Sequence, residues 1–174
     1  SAHYAQHYGV EIDANTQVLP LLGSKEGIFL ITQAVVDPGD VVLVPDPGYL
    51  VYAQAARFAG AEPYYLPLQA EKGWLPDLEA VPAEVLRRAR LLWLNYPNNP
   101  TSASADLDFF ARAVAFARQH ELLLCQDAAY SLVLFDGSQA ANVISIQGAP
   151  QSKADPVSAD PVVLPNTFLG SYSA

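Results

Sequence analysis

The chain has 174 residues, of which 51% are hydrophobic and 16% charged, with 18 acidic against 9 basic residues and a formal charge of −9. That length suits one domain with a substantial core, and the composition excludes a disordered chain. The acidic balance argues against nucleic acid as a partner, since a phosphate backbone needs a basic face, and neither a basic amphipathic helix nor a membrane-length apolar run is present.

In chain order, "QVLPLLG" reads as a short strand over residues 17–22. "SKEGIFLITQAVV" reads as a helix with Ser24 as N-cap and Glu26 in its first turn, ended by "PGD". "VVLVPDP" is a second strand, and its near-continuous apolar character fits burial on both faces. "GYLVYAQAARFAG" is a helix stopped by Gly60. "AEPYYLPL" is a third strand, and Pro63 and Pro67 predict an edge position. A short, broken helical region follows in "PDLEAVPAEVLRRA", and then a fourth strand, "RLLWLNYP". Leu107, Phe110, Ala111, Val114 and Ala117 recur at helical spacing and predict an amphipathic helix over 104–119. "LLLCQDAAY" is a fifth strand; its Cys125, the one cysteine, reads as a buried core thiol in a reducing compartment.

Alternating strands and helices imply an α/β fold, a mainly parallel sheet with helices on both faces. Periodicity is lost near Gly148, so the expected division is a domain over 1–149 and an irregular tail over 150–174, with "PVVLP" (161–165) as its only strand-like piece. The chain begins at Ser1 and holds no methionine, which predicts a piece of a longer protein.

Chemistry-bearing residues collect at the carboxyl ends of the predicted strands, where open α/β sheets bind ligands. "GSKEG" (23–27) offers backbone N–H groups at a helix start, suited to a phosphate or simply to an ordinary capped helix. Tyr49 in "DPGY" offers an aromatic face, and Asp127 in "DAAY" a carboxylate that must find a partner. In "NYPNNPT", two prolines frame Asn98 and Asn99, either as a plain turn or as a rigid mount for an amide.

Together, "VLPLLGSKEG", "VLVPDPGY", "LNYPNNPT" and "CQDAAYS" resemble, in order and spacing, the large domain of the class I/II aminotransferases, pyridoxal-phosphate enzymes of fold type I. The resemblance covers about residues 5–149 and is nearest the branch containing LL-diaminopimelate and related aspartate, alanine or aromatic aminotransferases. It implies pyridoxal 5'-phosphate as cofactor, amino-acid and 2-oxo-acid substrates, a cytoplasmic setting and a homodimeric parent enzyme. It implies that the backbone of Ser24 and Lys25 holds the cofactor phosphate, that Tyr49 stacks on the pyridine ring, that Asn99 and Tyr130 hydrogen-bond the ring hydroxyl, and that Asp127 pairs with the ring nitrogen. No metal ligand is assigned. Asn98 has no matched role, and His3, His7 and His120 are expected at the surface.

Two departures from the family pattern stand out. Ser102 replaces the glycine that follows "NPT", and no lysine matches the family's Schiff-base lysine. The only lysine after Asp127 is Lys153, in a stretch that does not read as a strand end, while Lys25 and Lys72 belong elsewhere in the pattern. The expectation is therefore an aminotransferase fragment, inactive alone. A lyase or synthase on the same fold and a non-enzymatic binding domain with a degenerate pocket are the alternatives. In the family sheet, the first strand present here is separated from the other four by two later strands. Residues 17–22 are accordingly expected to be orphaned, or paired only with "PVVLP".

Overall fold

The computed structural model describes residues 2–134 and 140–146. Its helices are α1 (Ala2–Tyr8), α2 (Ser24–Val35), α3 (Val51–Phe58), α4 (Ala83–Leu86) and α5 (Leu107–Gln119); its strands are β1 (Val41–Asp46), β2 (Glu62–Pro67), β3 (Ala89–Asn95) and β4 (Leu123–Asp127). The four strands form one parallel sheet in the order β2-β1-β3-β4. Four of the five expected strands are thus present as a contiguous block, and β2 lies at an edge, where its prolines need no ladder partner on the open side.

The sheet is buried on both faces, and strand alternation sorts the side chains between them. Val41, Leu43, Leu92, Leu94 and Leu124 face α5, which covers them with Phe110, Ala113, Val114 and Ala117. Val42, Val44, Leu91, Trp93 and Cys125 face the other way, under Ile28 of α2 and Tyr52, Ala53 and Ala56 of α3. The two covering helices of that second face are tied together by Gln33, whose Nε2 donates to the Ala55 carbonyl at 3.0 Å.

Several boundaries differ from the sequence reading. Residues 17–22 form no strand; Leu19 is 74% and Leu22 97% exposed. An extended segment needs a neighbour for its ladder bonds, and Pro20 removes a donor as well. The alternative partner, residues 161–165, lies outside the described residues, as do Lys153 and the expected 150–174 tail. Gly23, not Ser24, is the N-cap of α2; its φ of 104° is easiest for glycine, and Ser24 becomes the first helical residue. In α5, the helix starts later than expected because Asp106 caps it, its side chain accepting from Phe109 N–H at 2.7 Å. α3 starts only at Val51, after a turn, and Gly60 follows its end with φ 76°. His3, His7 and His120 are partly exposed, in keeping with surface positions, and the His3 and His7 rings stack at 4.1 Å.

Candidate functional site

Parallel strands bring their carboxyl ends to one side of the sheet. β3 and β4 pair in register, with Trp93 opposite Cys125 and Asn95 opposite Asp127. Period-two alternation then puts Asn95 and Asp127 on the same face as Trp93 and Cys125, the face covered by α2 and α3.

Asp127 is 4% exposed. Its Oδ2 accepts from the Tyr52 hydroxyl at 2.8 Å, and its Oδ1 from the Ala129 N–H at 3.2 Å. Burial pushes the Tyr52 phenol well above the ordinary tyrosine value, and the negative charge of Asp127 pushes it further the same way; Tyr49 and Tyr130 add smaller contributions. Those two phenols are therefore near neighbours of the same group. The Tyr52 ring is fixed from below by Trp93, stacked at 5.1 Å with 17° between the planes, and Tyr49 meets its edge at 5.8 Å.

The loop after β3 is braced by asparagines. Asn95, fully buried, donates from Nδ2 to the Asp127 carbonyl at 2.9 Å and accepts the Asn99 N–H at 2.7 Å on Oδ1. Asn98 is buried and holds the turn: its Oδ1 accepts from the Thr101 N–H at 3.2 Å and hydroxyl at 2.8 Å, while its own N–H and C=O bond Ala103 and Ser102. Asn99 itself is half-buried, and among the described residues its side-chain amide has no hydrogen-bond partner. Ser102 has φ 62°, a left-handed conformation that favours glycine.

The turn between β1 and α3 depends on Gly48, since a Cβ there would collide with the Pro45 carbonyl oxygen. That turn sets Tyr49 half-buried at the helix entrance, with Tyr52 three residues on. Tyr130, 43% exposed, follows Asp127 in a turn closed by Val133 N–H to the Tyr130 carbonyl. Ser24 and Lys25 occupy the first turn of α2, whose N-cap supplies no side-chain hydrogen bond. Glu26 Oε2 accepts the Leu22 N–H at 2.8 Å, and no described hydrogen bond joins Ser24 or Lys25 to the other candidates.

Tyr49, Asp127 and Tyr130 are thus brought together around Tyr52, Asn99 is braced beside Asp127 through Asn95, and Ser24 and Lys25 lie in the first turn of α2, joined to the others by no described hydrogen bond. The sequence reading passed over Tyr52 and Asn95. Both carry a signal: Tyr52 lies three residues from Tyr49 at a helix start, and Asn95 is two residues from Trp93 and therefore on its face. A separate cleft of about 280 Å³, lined by Asp46, Tyr49, Gln54, Arg57 and Tyr65 among others, touches this cluster only through Tyr49.

The sequence matches the family described as Aminotransferase class I and II over residues 1–168. It is 53% identical over 146 residues to an LL-diaminopimelate aminotransferase of Desulforudis audaxviator, covering 84% of this chain and 37% of the relative, and 51% identical over 148 residues to that of Moorella thermoacetica, covering 85% and 38%. The chain therefore spans well under half the length of these relatives. Among solved structures it is similar to apo-BacF from Bacillus subtilis (TM-score 0.81, 42% identity, 84% of this chain and 39% of that one). It is also similar to a probable N-succinyldiaminopimelate aminotransferase from Thermus thermophilus (TM-score 0.78, 39% identity, 84% and 39%).

Proposed function

The chain belongs to the class I and II aminotransferase family, and from that premise we propose that its sheet end is the ring-holding half of a pyridoxal-phosphate site in an enzyme that transfers an amino group from LL-diaminopimelate to a 2-oxo acid. The observation that carries the reading is the buried Asp127 carboxylate at the end of β4, held by the Tyr52 hydroxyl, with Tyr49 and Tyr130 beside Tyr52 and the unpartnered amide of Asn99 linked to the same strand end through Asn95.

The donor set fits the group. A buried carboxylate favours a cationic partner, so Asp127 holds a proton on the ring nitrogen. Asn99 offers its free amide to the ring hydroxyl, with Tyr130 as a second donor, and Tyr49 supplies the stacking face. The N–H groups of Ser24 and Lys25, uncapped by any side chain, suit the phosphate. When bound, the cofactor supplies an electron sink for the α-carbon of the amino acid. The diaminopimelate assignment rests on the relatives' identity. A homodimeric, cytoplasmic whole enzyme fits the family and the buried Cys125 thiol.

Calorimetric titration of the chain with pyridoxal phosphate tests the reading. Asp127→Ala should weaken binding at least about tenfold, the worth of a charged hydrogen bond, and Asn99→Ala about fivefold. Equal affinity of wild type and Asp127→Ala contradicts it. Because no residue matches the lysine that attaches the cofactor covalently, borohydride reduction of the mixture should leave no site-specific pyridoxyl label; a label confined to Lys25 or Lys153 contradicts that expectation.

A further inference from the structure

We propose that Tyr52 is the positioning residue of this site: its hydroxyl fixes the orientation in which the Asp127 carboxylate meets a cationic aromatic nitrogen. The inference rests on the cofactor reading above and adds a residue and a role to it.

The geometry is specific. A carboxylate turns about its Cβ–Cγ bond unless both oxygens are held, and a terminal torsion of this kind is broad and roughly two-fold. In Asp127, Ala129 N–H holds one oxygen from the strand's own chain, while Tyr52 holds the other from α3, 75 residues away. Tyr52 is 1% exposed, so neither water nor a second rotamer replaces that donor. Its ring is stacked on Trp93 and edged by Tyr49, which leaves the hydroxyl little lateral freedom. Burial and the neighbouring carboxylate keep the phenol protonated, so Tyr52 stays a donor to Asp127 throughout the neutral range. The phenol therefore does two things for the carboxylate: it stabilises the charged form by a short charge-assisted bond, and it sets the plane in which the other lone pairs lie.

The same arrangement couples ring stacking to nitrogen recognition. Tyr49 and Tyr52 ride on one turn and helix start, the turn that Gly48 permits. A ligand ring laid against Tyr49 and a nitrogen presented to Asp127 are thus registered by one rigid element.

The test uses the full chain and two ligands, pyridoxal phosphate and its 1-deaza analogue, in which a C–H replaces the ring nitrogen. Tyr52→Phe keeps the ring, the Trp93 stack and the volume, and removes only the hydroxyl. Wild type should prefer the pyridine ligand, Asp127→Ala should lose that preference, and Tyr52→Phe should reduce it about tenfold while binding the deaza analogue as wild type does. A merely structural role for Tyr52 would weaken both ligands alike, and that result overturns the inference, as does an unchanged preference in Tyr52→Phe. No preference in wild type, or one that survives in Asp127→Ala, overturns the cofactor reading itself.

Discussion

The two faces of the sheet are built from the same strands by the same alternation, yet they differ in kind. The α5 face is closed by Phe109, Phe110, Ala113, Val114, Phe116 and Ala117, and a fully buried polar side chain from its strands, Gln126, is consumed within the fold: Nε2 donates to the Tyr96 carbonyl at 3.2 Å and Oε1 accepts the Val143 N–H at 2.8 Å. The α2–α3 face is apolar only as far as Trp93 and Cys125. Beyond them Asn95 and Asp127 continue the same alternation with polar groups, and the helix side answers with Tyr49 and Tyr52. One face supplies rigidity, and the other spends part of its core on a charged, hydrogen-bonded cluster.

The largest effect that would sharpen this contrast is on the α5 side. Phe110 is fully buried, and Phe110→Ala should cost about 3–5 kcal/mol of stability, measured by urea denaturation. A cost near that of a surface substitution would remove the structural role given to this face. Next comes the alkaline limb. Burial raises the Cys125 thiol and the Tyr52 and Tyr96 phenols above their ordinary values of 9.0 and 10.0. The unfolded chain releases these protons first, so stability should be full below about pH 9 and fall as pH rises beyond it. Two of the three groups lie on the α2–α3 face, so Tyr52→Phe should flatten the fall; an identical profile would show that Tyr52 is not held protonated by the fold. The smallest effect concerns the loop leading from β3. Ser102→Gly relieves a left-handed φ at an exposed position and should stabilise by up to about 1 kcal/mol, as read from the thermal midpoint; destabilisation would mean that the Ser102 side chain has a role there.

Much of this was legible beforehand because it depends on local pattern. Continuous apolar runs marked β1, β3 and β4, prolines marked β2 as an edge, and the spacing of Leu107 to Ala117 marked α5. Residues 17–22 also carry an apolar run, interrupted by Pro20, but a strand is completed by its neighbours, and among the described residues none lies beside it. The site divides along the same line. Tyr49, Asn99, Asp127 and Tyr130 sit in recognisable motifs, whereas the Tyr52–Asp127 bond joins residues 75 apart and exists only once β1 and β4 share a sheet. Ser102 stands where the resemblance led one to expect glycine, and its left-handed φ of 62° became visible only in the fold.

The most direct measurement is a crystal structure of the chain soaked with pyridoxal phosphate. The expected result is a ring stacked on Tyr49, with its nitrogen within hydrogen-bond distance of an Asp127 oxygen and its hydroxyl facing Asn99. A ring bound instead in the cleft beside Arg57 and Tyr65, with Asp127 untouched, would contradict the division of the sheet into a structural face and a cofactor-holding face.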